Sequence, residues 1–181
     1  GDVLDAEALM ALVKAGVAKL NTMTDVVVEE IAWQMGRPTR YGGEFGGVNA
    51  RTDYMASIAA KTLAPEMIED SDKFRRYLAR EPVGVVFIIA PWNYPYLTTI
   101  NTLVPALIAG NTVVLKHASQ TLLVGERLAE AVHAAGIPED VFQNVVLDHT
   151  TTEALIGRRS FGFVNFTGSV RGGQAIERAA A

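Results

Sequence analysis

Cysteine is missing from all 181 residues. That excludes disulfides, thiolate metal sites and any cysteine nucleophile within the chain. Histidine is nearly as scarce. His117, His133 and His149 are the whole set, too scattered to compose a metal centre, so no metal is expected. His133 lies in a helical pattern ending at Gly136 and reads as an ordinary surface or core histidine. Charge of one sign is also lacking: the net charge is -4, whereas nucleic-acid binding normally requires a concentrated basic face. Apolar runs stop short of the roughly 20 residues that cross a bilayer, and no basic segment followed by an apolar one opens the chain. Neither nucleic acid nor membrane is therefore expected as a partner, and the expected location is cytoplasmic. What the chain does have is apolar side chains, 49% of the total, enough to bury a substantial core and to exclude a disordered polymer.

The amino-terminal part reads as helices. Leu9, Leu12, Val13, Val17 and Leu20 recur at three-to-four spacing, which predicts an amphipathic helix over Leu4–Leu20. Asn21-Thr22-Met23-Thr24 supplies a stop and a new cap, and Asp25 sits favourably near the amino end of a second helix running to Met35. Gly36-Arg37-Pro38 ends it. A third helix spans Phe45–Leu63 and closes at Ala64-Pro65. Residues 1–72 thus form a helical layer. Lys73–Arg80, reading KFRRYLAR, mixes apolar and basic residues in the manner of an extended edge strand, where charge discourages unwanted pairing. A basic patch for an anionic partner is the alternative there, weakened because cations on an edge strand are usually solvated.

From Glu81 the texture changes. Val83–Ala90 is a continuous apolar run between Pro82 and Pro91, the signature of a strand buried on both faces. Pro91-Trp92-Asn93-Tyr94-Pro95 breaks it, since neither proline can donate to a ladder. A helix over Leu97–Ala109 stops at Gly110-Asn111, and Thr112–Lys116 is a second buried strand. Helices at Thr121–Ala135, Thr151–Ile156 and Arg171–Ala180 then alternate with strands at Val141–Leu147 and Phe161–Phe166. This alternation predicts an α/β class with a Rossmann-like, doubly wound parallel sheet over residues 81–181 and right-handed crossovers. In such sheets ligands bind beyond the carboxyl ends of the strands.

Three places at those ends carry polar chemistry. Asn93, after the first strand, is either an amide that donates to a developing oxyanion or a turn residue bonded to its own backbone. Lys116-His117-Ala118-Ser119, after the second, suits a ribose hydroxyl or a 2′-phosphate, or else presents a lysine to solvent. Phe166-Thr167-Gly168-Ser169-Val170-Arg171-Gly172-Gly173 joins a strand to a helix, where free N–H groups attract phosphate. It lacks the GxGxxG spacing and is equally a plain strand-to-helix turn.

The segments EPVGVVFIIAPWNYP, GNTVVLKHASQT, GIPEDVFQNVV and FVNFTGSVRGG, in this order and spacing, resemble the aldehyde dehydrogenase superfamily. EEIAWQMGRP resembles that family's helix ending in a Gly-Lys-Pro-like turn. The texture of KHAS and GSVRGG is most similar to the succinate-semialdehyde dehydrogenases. The resemblance implies NAD- or NADP-dependent oxidation of a small aldehyde to a carboxylate through a cysteine thioester. It makes Asn93 the oxyanion amide and places Ile89, Pro91 and Trp92 beside the nicotinamide. Lys116 and Ser119 would hold the adenine ribose, and Gly168 and Ser169 the pyrophosphate. Residues 73–80 would be an oligomerisation strand of a homo-oligomer. Two differences stand out: His117 occupies the place usual for proline, and Leu147-Asp148-His149-Thr150 that of a glycine-rich turn. The family's glutamate base and cysteine nucleophile are expected beyond Ala181, so that these residues are a fragment of the enzyme. The rival reading is a nucleotide-binding module without catalysis.

By itself the 181-residue chain is expected to give no aldehyde-dependent reduction of NAD or NADP, because the thioester route needs a thiolate and the chain has none. Nicotinamide absorbance, followed with succinic semialdehyde and saturating cofactor, checks this. Turnover by contaminant-free protein would contradict it.

Overall fold

A computed structural model describes residues 6–181. Leu4 and Asp5 of the expected first helix lie outside the described residues. Helix α1 covers Ala6–Asn21, α2 Thr24–Met35 and α3 Phe45–Leu63, with one 3-10 turn at Thr39–Tyr41. Gly36 closes α2 in the left-handed region at φ 74, its N–H returning to the Ala32 carbonyl. These helices match the periodicity closely.

A two-stranded antiparallel sheet follows, pairing β1 (Glu66–Asp70) with β2 (Arg75–Leu78). The sequence signals only the second strand. EMIED has no apolar run and is rich in residues that disfavour strands, so β1 exists through its partner. Its register sets Met67 opposite Tyr77 and Asp70 opposite Arg75. All four residues of β2 are exposed.

The central sheet is wholly parallel. Its strands are β3 (Val85–Ile89), β4 (Thr112–Lys116), β5 (Phe142–Asn144) and β6 (Phe163–Phe166), in the order β5-β4-β3-β6. Helices α4 (Pro95–Ile108), α5 (Leu122–Ala134), α6 (His149–Gly157) and α7 (Val170–Ala180) follow in alternation. β3 occupies the middle, and its side chains divide between two clusters. Val86 and Ile88 join Ile100, Leu103, Leu115 and Leu128 in a core that also takes Val13, Val17, Leu20 and Val48 from α1 and α3. Phe87 and Ile89 face the opposite side with Ile156, and Phe161 stacks on Phe87 at 4.3 Å. The early helices therefore form a second layer over α4 and α5. Asn111 fixes the entry to the sheet: its amide donates to the Ala106 carbonyl and accepts the N–H of Gly84. β5 is shorter than Val141–Leu147 because its pairing with β4 ends near the Val145 N–H bond to Leu115, leaving Val146 64% exposed. No helix among the described residues is long and apolar enough to cross a membrane.

His117 is a joint between helices. It is 2% exposed. Its Nδ1 accepts the Ala118 N–H at 3.1 Å and lies 2.9 Å from Thr121 Oγ1. The backbone donor assigns the ring proton to Nε2, which faces the Pro95 carbonyl at 3.4 Å and Thr99 Oγ1 at 3.5 Å. One neutral ring thus links the start of α4 to the start of α5. Burial pushes its pKa down to about 4; the Pro95 carbonyl opposes that shift and the Lys116 charge adds to it.

An unfolded histidine titrates near about 6.5, so between that pH and about 4 the unfolded chain binds a proton that the native state refuses. His117 is therefore expected to contribute its full stability above pH 6.5 or so and to lose up to ~3 kcal/mol as pH falls through this window. Urea midpoints of the native chain and of His117→Gln across the window check it. The native chain should show the steeper decline, and equal slopes would contradict the assignment.

Candidate functional site at the carboxyl edge of the sheet

Parallel pairing brings three strand ends to one level. Ile89 stands opposite Lys116 on one side and Phe166 on the other. The chain leaving these ends encloses a cleft of about 790 Å³. Ile89, Pro91, Trp92, Asn93, Lys116, Gly168 and Ser169 all line it. Of the expected residues Ser119 stands apart: it is exposed, on the loop before α5, and lies outside that lining.

Each wall has its own character. Ile89 is 7% exposed, whereas Trp92 is 47% exposed at the opening. Asn93 is exposed as well. Its carbonyl accepts from Arg37 Nη2 at 2.7 Å, while no partner among the described residues holds its side-chain amide. Lys116 is only 5% exposed, and its Nζ donates to the His117 carbonyl at 3.3 Å. Loss of hydration holds its pKa below the ordinary lysine value.

Ser169 caps α7, its Oγ accepting the Gly172 N–H at 3.1 Å. The amino end of α7 thereby opens into the cleft, presenting N–H groups and the positive end of the helix dipole. The glycines here have a packing cause too. A Cβ on Gly168 or Gly172 would come within 2.6 or 2.7 Å of Phe166 Cζ. The ring of Phe166 thus lies against the turn and selects glycine on both sides of Ser169.

Arg171, inside the turn already singled out, also lines the cleft, and further lining comes from residues the pattern did not single out: His149, Thr152 and Glu153 of α6, and Ala175, Ile176 and Arg178 of α7. The α7 set was discoverable in principle, because Arg171, Ala175 and Arg178 fall at helical i, i+4, i+7 spacing. The α6 set required the crossover geometry. Asp148 starts α6 by accepting the Thr151 N–H at 2.7 Å, and this bond holds its carboxyl below the usual carboxylate range. The unusual Leu147-Asp148-His149-Thr150 stretch is thus a helix cap that delivers His149 to the cleft. Lys116, Arg171 and Arg178 make no ion pair among the described residues, against the one lining carboxylate of Glu153. The cleft suits an anionic ligand with an apolar, planar portion against Trp92 and Ile89.

Comparison with known proteins points the same way. The sequence profile described as the aldehyde dehydrogenase family matches residues 5–181. The N-succinylglutamate 5-semialdehyde dehydrogenase of Sphingopyxis alaskensis is 31% identical over 161 residues, covering 88% of this chain and 34% of that protein. An NADP/NAD-dependent aldehyde dehydrogenase of Escherichia coli, PuuC, is 33% identical over 170 residues, covering 90% of this chain and 34% of its own. Among solved structures, the succinic semialdehyde dehydrogenase of Streptococcus pyogenes in complex with NADP+ superposes with a TM-score of 0.84 at 27% identity, covering 97% of this chain and 38% of its own. The chain thus spans about a third of the length of these relatives. On this match, over nearly its whole length, the chain belongs to the aldehyde dehydrogenase family.

Proposed function

We propose that the chain forms the cofactor-binding part of an NAD- or NADP-dependent aldehyde dehydrogenase, which oxidises a small aldehyde or semialdehyde to the carboxylate. The observation that carries the reading is the cleft itself, where the ends of β3, β4 and β6 meet the amino end of α7 beside three cations that have no ion-pair partner among the described residues. The names of the relatives, semialdehyde dehydrogenases and an NADP/NAD-dependent enzyme among them, support it. The residues fit a nicotinamide dinucleotide: the α7 amino end with Gly168 and Ser169 suits the pyrophosphate, and Ile89, Pro91 and Trp92 offer an apolar wall for the nicotinamide. Lys116 suits the adenine ribose, and Ser119, although outside the cleft lining, is assigned to the same ribose by the family resemblance. The bound dinucleotide supplies the hydride acceptor for the oxidation.

Asn93 takes the electrostatic role. Its exposed amide, without a partner among the described residues, is available to donate to the oxygen that becomes negative when a thiolate adds to the aldehyde carbonyl. That thiolate is contributed from outside these 181 residues, since the chain has no cysteine, and the family resemblance assigns the base that activates water to the same outside part. The β1–β2 hairpin, with Met67, Ile68, Phe74, Tyr77 and Leu78 exposed, is assigned to contact between subunits of a homo-oligomer.

Two outcomes are expected of the dehydrogenase that carries this chain. Asn93→Ala should lower the maximal rate on the order of a hundredfold or more while cofactor affinity changes little. A nearly unchanged rate would return Asn93 to a turn residue. NADP should serve at least as well as NAD, on the reading that Ser119, neutral and three residues after Lys116, tolerates a 2′-phosphate that a carboxylate at that position would repel. The ratio of kcat/KM for the two cofactors measures this. Ser119→Glu should move it towards NAD, and strong NAD preference in the unaltered enzyme would refute the role given to Ser119.

A further inference from the structure

A second cavity, of about 550 Å³, adjoins the same loop and is walled by Arg37, Tyr41, Glu44, Tyr94 and Leu97. Its centre is an ion pair contributed by the helical layer. Arg37 follows the cap of α2, and Glu44 immediately precedes α3. Arg37 Nη1 donates to Glu44 Oε1 at 2.8 Å, with the two side chains 14% and 4% exposed. Each partner keeps one more group, and both reach the loop after β3. Arg37 Nη2 donates to the Asn93 carbonyl at 2.7 Å, and Glu44 Oε2 accepts the Leu97 N–H at 2.7 Å. The guanidinium also lies 5.3 Å from the centroid of the Tyr94 ring.

The two ends of the turn Asn93–Leu97 are therefore gripped by one partly buried, salt-bridged unit. Leu97 is the third residue of α4, whose own cap residue, Tyr94, supplies no side-chain bond. Glu44 does that work from the residue before α3, as a negative charge at the positive end of the α4 dipole. A buried pair of this kind is weak as a source of stability, because desolvation offsets much of the attraction. Its bonds to the charged groups are nevertheless short and directional, and they fix where the backbone of Asn93 stands.

We propose that Arg37 and Glu44 are positioning residues for the oxyanion donor: they hold the Asn93–Leu97 backbone so that the Asn93 amide meets the charge that develops on the aldehyde oxygen. The proposal rests on the reading of Asn93 given above. Neither side chain is assigned a contact with substrate, and both act through the loop.

The experiment is a double-mutant cycle in the full-length dehydrogenase that carries this chain. Glu44→Gln keeps the shape and an acceptor for Leu97 but removes the charge that pairs with Arg37. It is expected to lower kcat about tenfold with KM for the cofactor little changed, and to have no further effect once Asn93 is alanine, since coupled residues are non-additive. An equal fall in kcat with and without Asn93, or a change in KM alone, would overturn the proposal while leaving Asn93 its role. A normal rate for Asn93→Ala by itself would instead overturn the reading of Asn93, and the proposal with it. If Glu44→Gln does not fold, Arg37→Lys keeps the charge and loses the planar fork. Its smaller loss of kcat should likewise vanish in the Asn93→Ala background, and persistence there would overturn the proposal.

Discussion

Everything at the carboxyl edge depends on the burial of β3 from both sides. Phe87 and Ile88 are 0% and 1% exposed, though they point to opposite faces. Each such side chain contributes about 1.5–3 kcal/mol on leaving water, so β3 must have helices above and below. That requirement fixes register. Slipping the strand by one residue would exchange the two faces and set Ile89 against a different level of β4 and β6. Because the register holds, Ile89, Lys116 and Phe166 end together, and three loops open into one cleft.

The edge carries buried polarity that a plain core would avoid. Lys116 and His117 are each at most 5% exposed, and buried Glu44 pairs with half-buried Arg37 beside the same loop. Burying such groups costs free energy unless they are bonded. Here each is bonded: Lys116 to the His117 carbonyl, His117 to the α5 start, and the ion pair to the backbone of the Asn93 loop. Polar groups so placed oppose solvation but specify geometry, and they cluster beside the cleft at the carboxyl edge.

The helical layer earns its place through this edge. Residues of α1 and α3 share one hydrophobic cluster with α4 and the sheet. The Arg127–Glu30 pair, whose hydrogen bonds hold the guanidinium in its charged form, joins α5 to α2. Gln34 of α2 accepts the Leu123 N–H at the start of α5. The amino-terminal helices thus clamp the starts of α4 and α5, the helices that leave the ends of β3 and β4.

The sequence by itself determined the element types and their order except for β1, which falls within residues read as a helical layer. Apolar periodicity is a local property, and the Val83–Ala90 run, the breaker Pro91–Pro95 and the spacing in α1–α3 read correctly without any partner. It also marked Asn93, Lys116 and the Gly168-Ser169 turn, because polar residues after apolar strands stand out. Only the tertiary structure decided the rest. β1 has no apolar signal and forms by pairing with β2. Ser119 lies off the cleft lining although its neighbour Lys116 lines it, since the direction of a loop residue follows from packing and not from spacing. His117 looked like a departure from a pattern and is a buried joint, a fact set by Pro95 and Thr121, which lie 22 residues before it and four after it. The contacts of Arg37 and Glu44 with the Asn93 loop span 56 and 53 residues. No local pattern encodes such contacts, because they exist only once separate helices pack against one sheet.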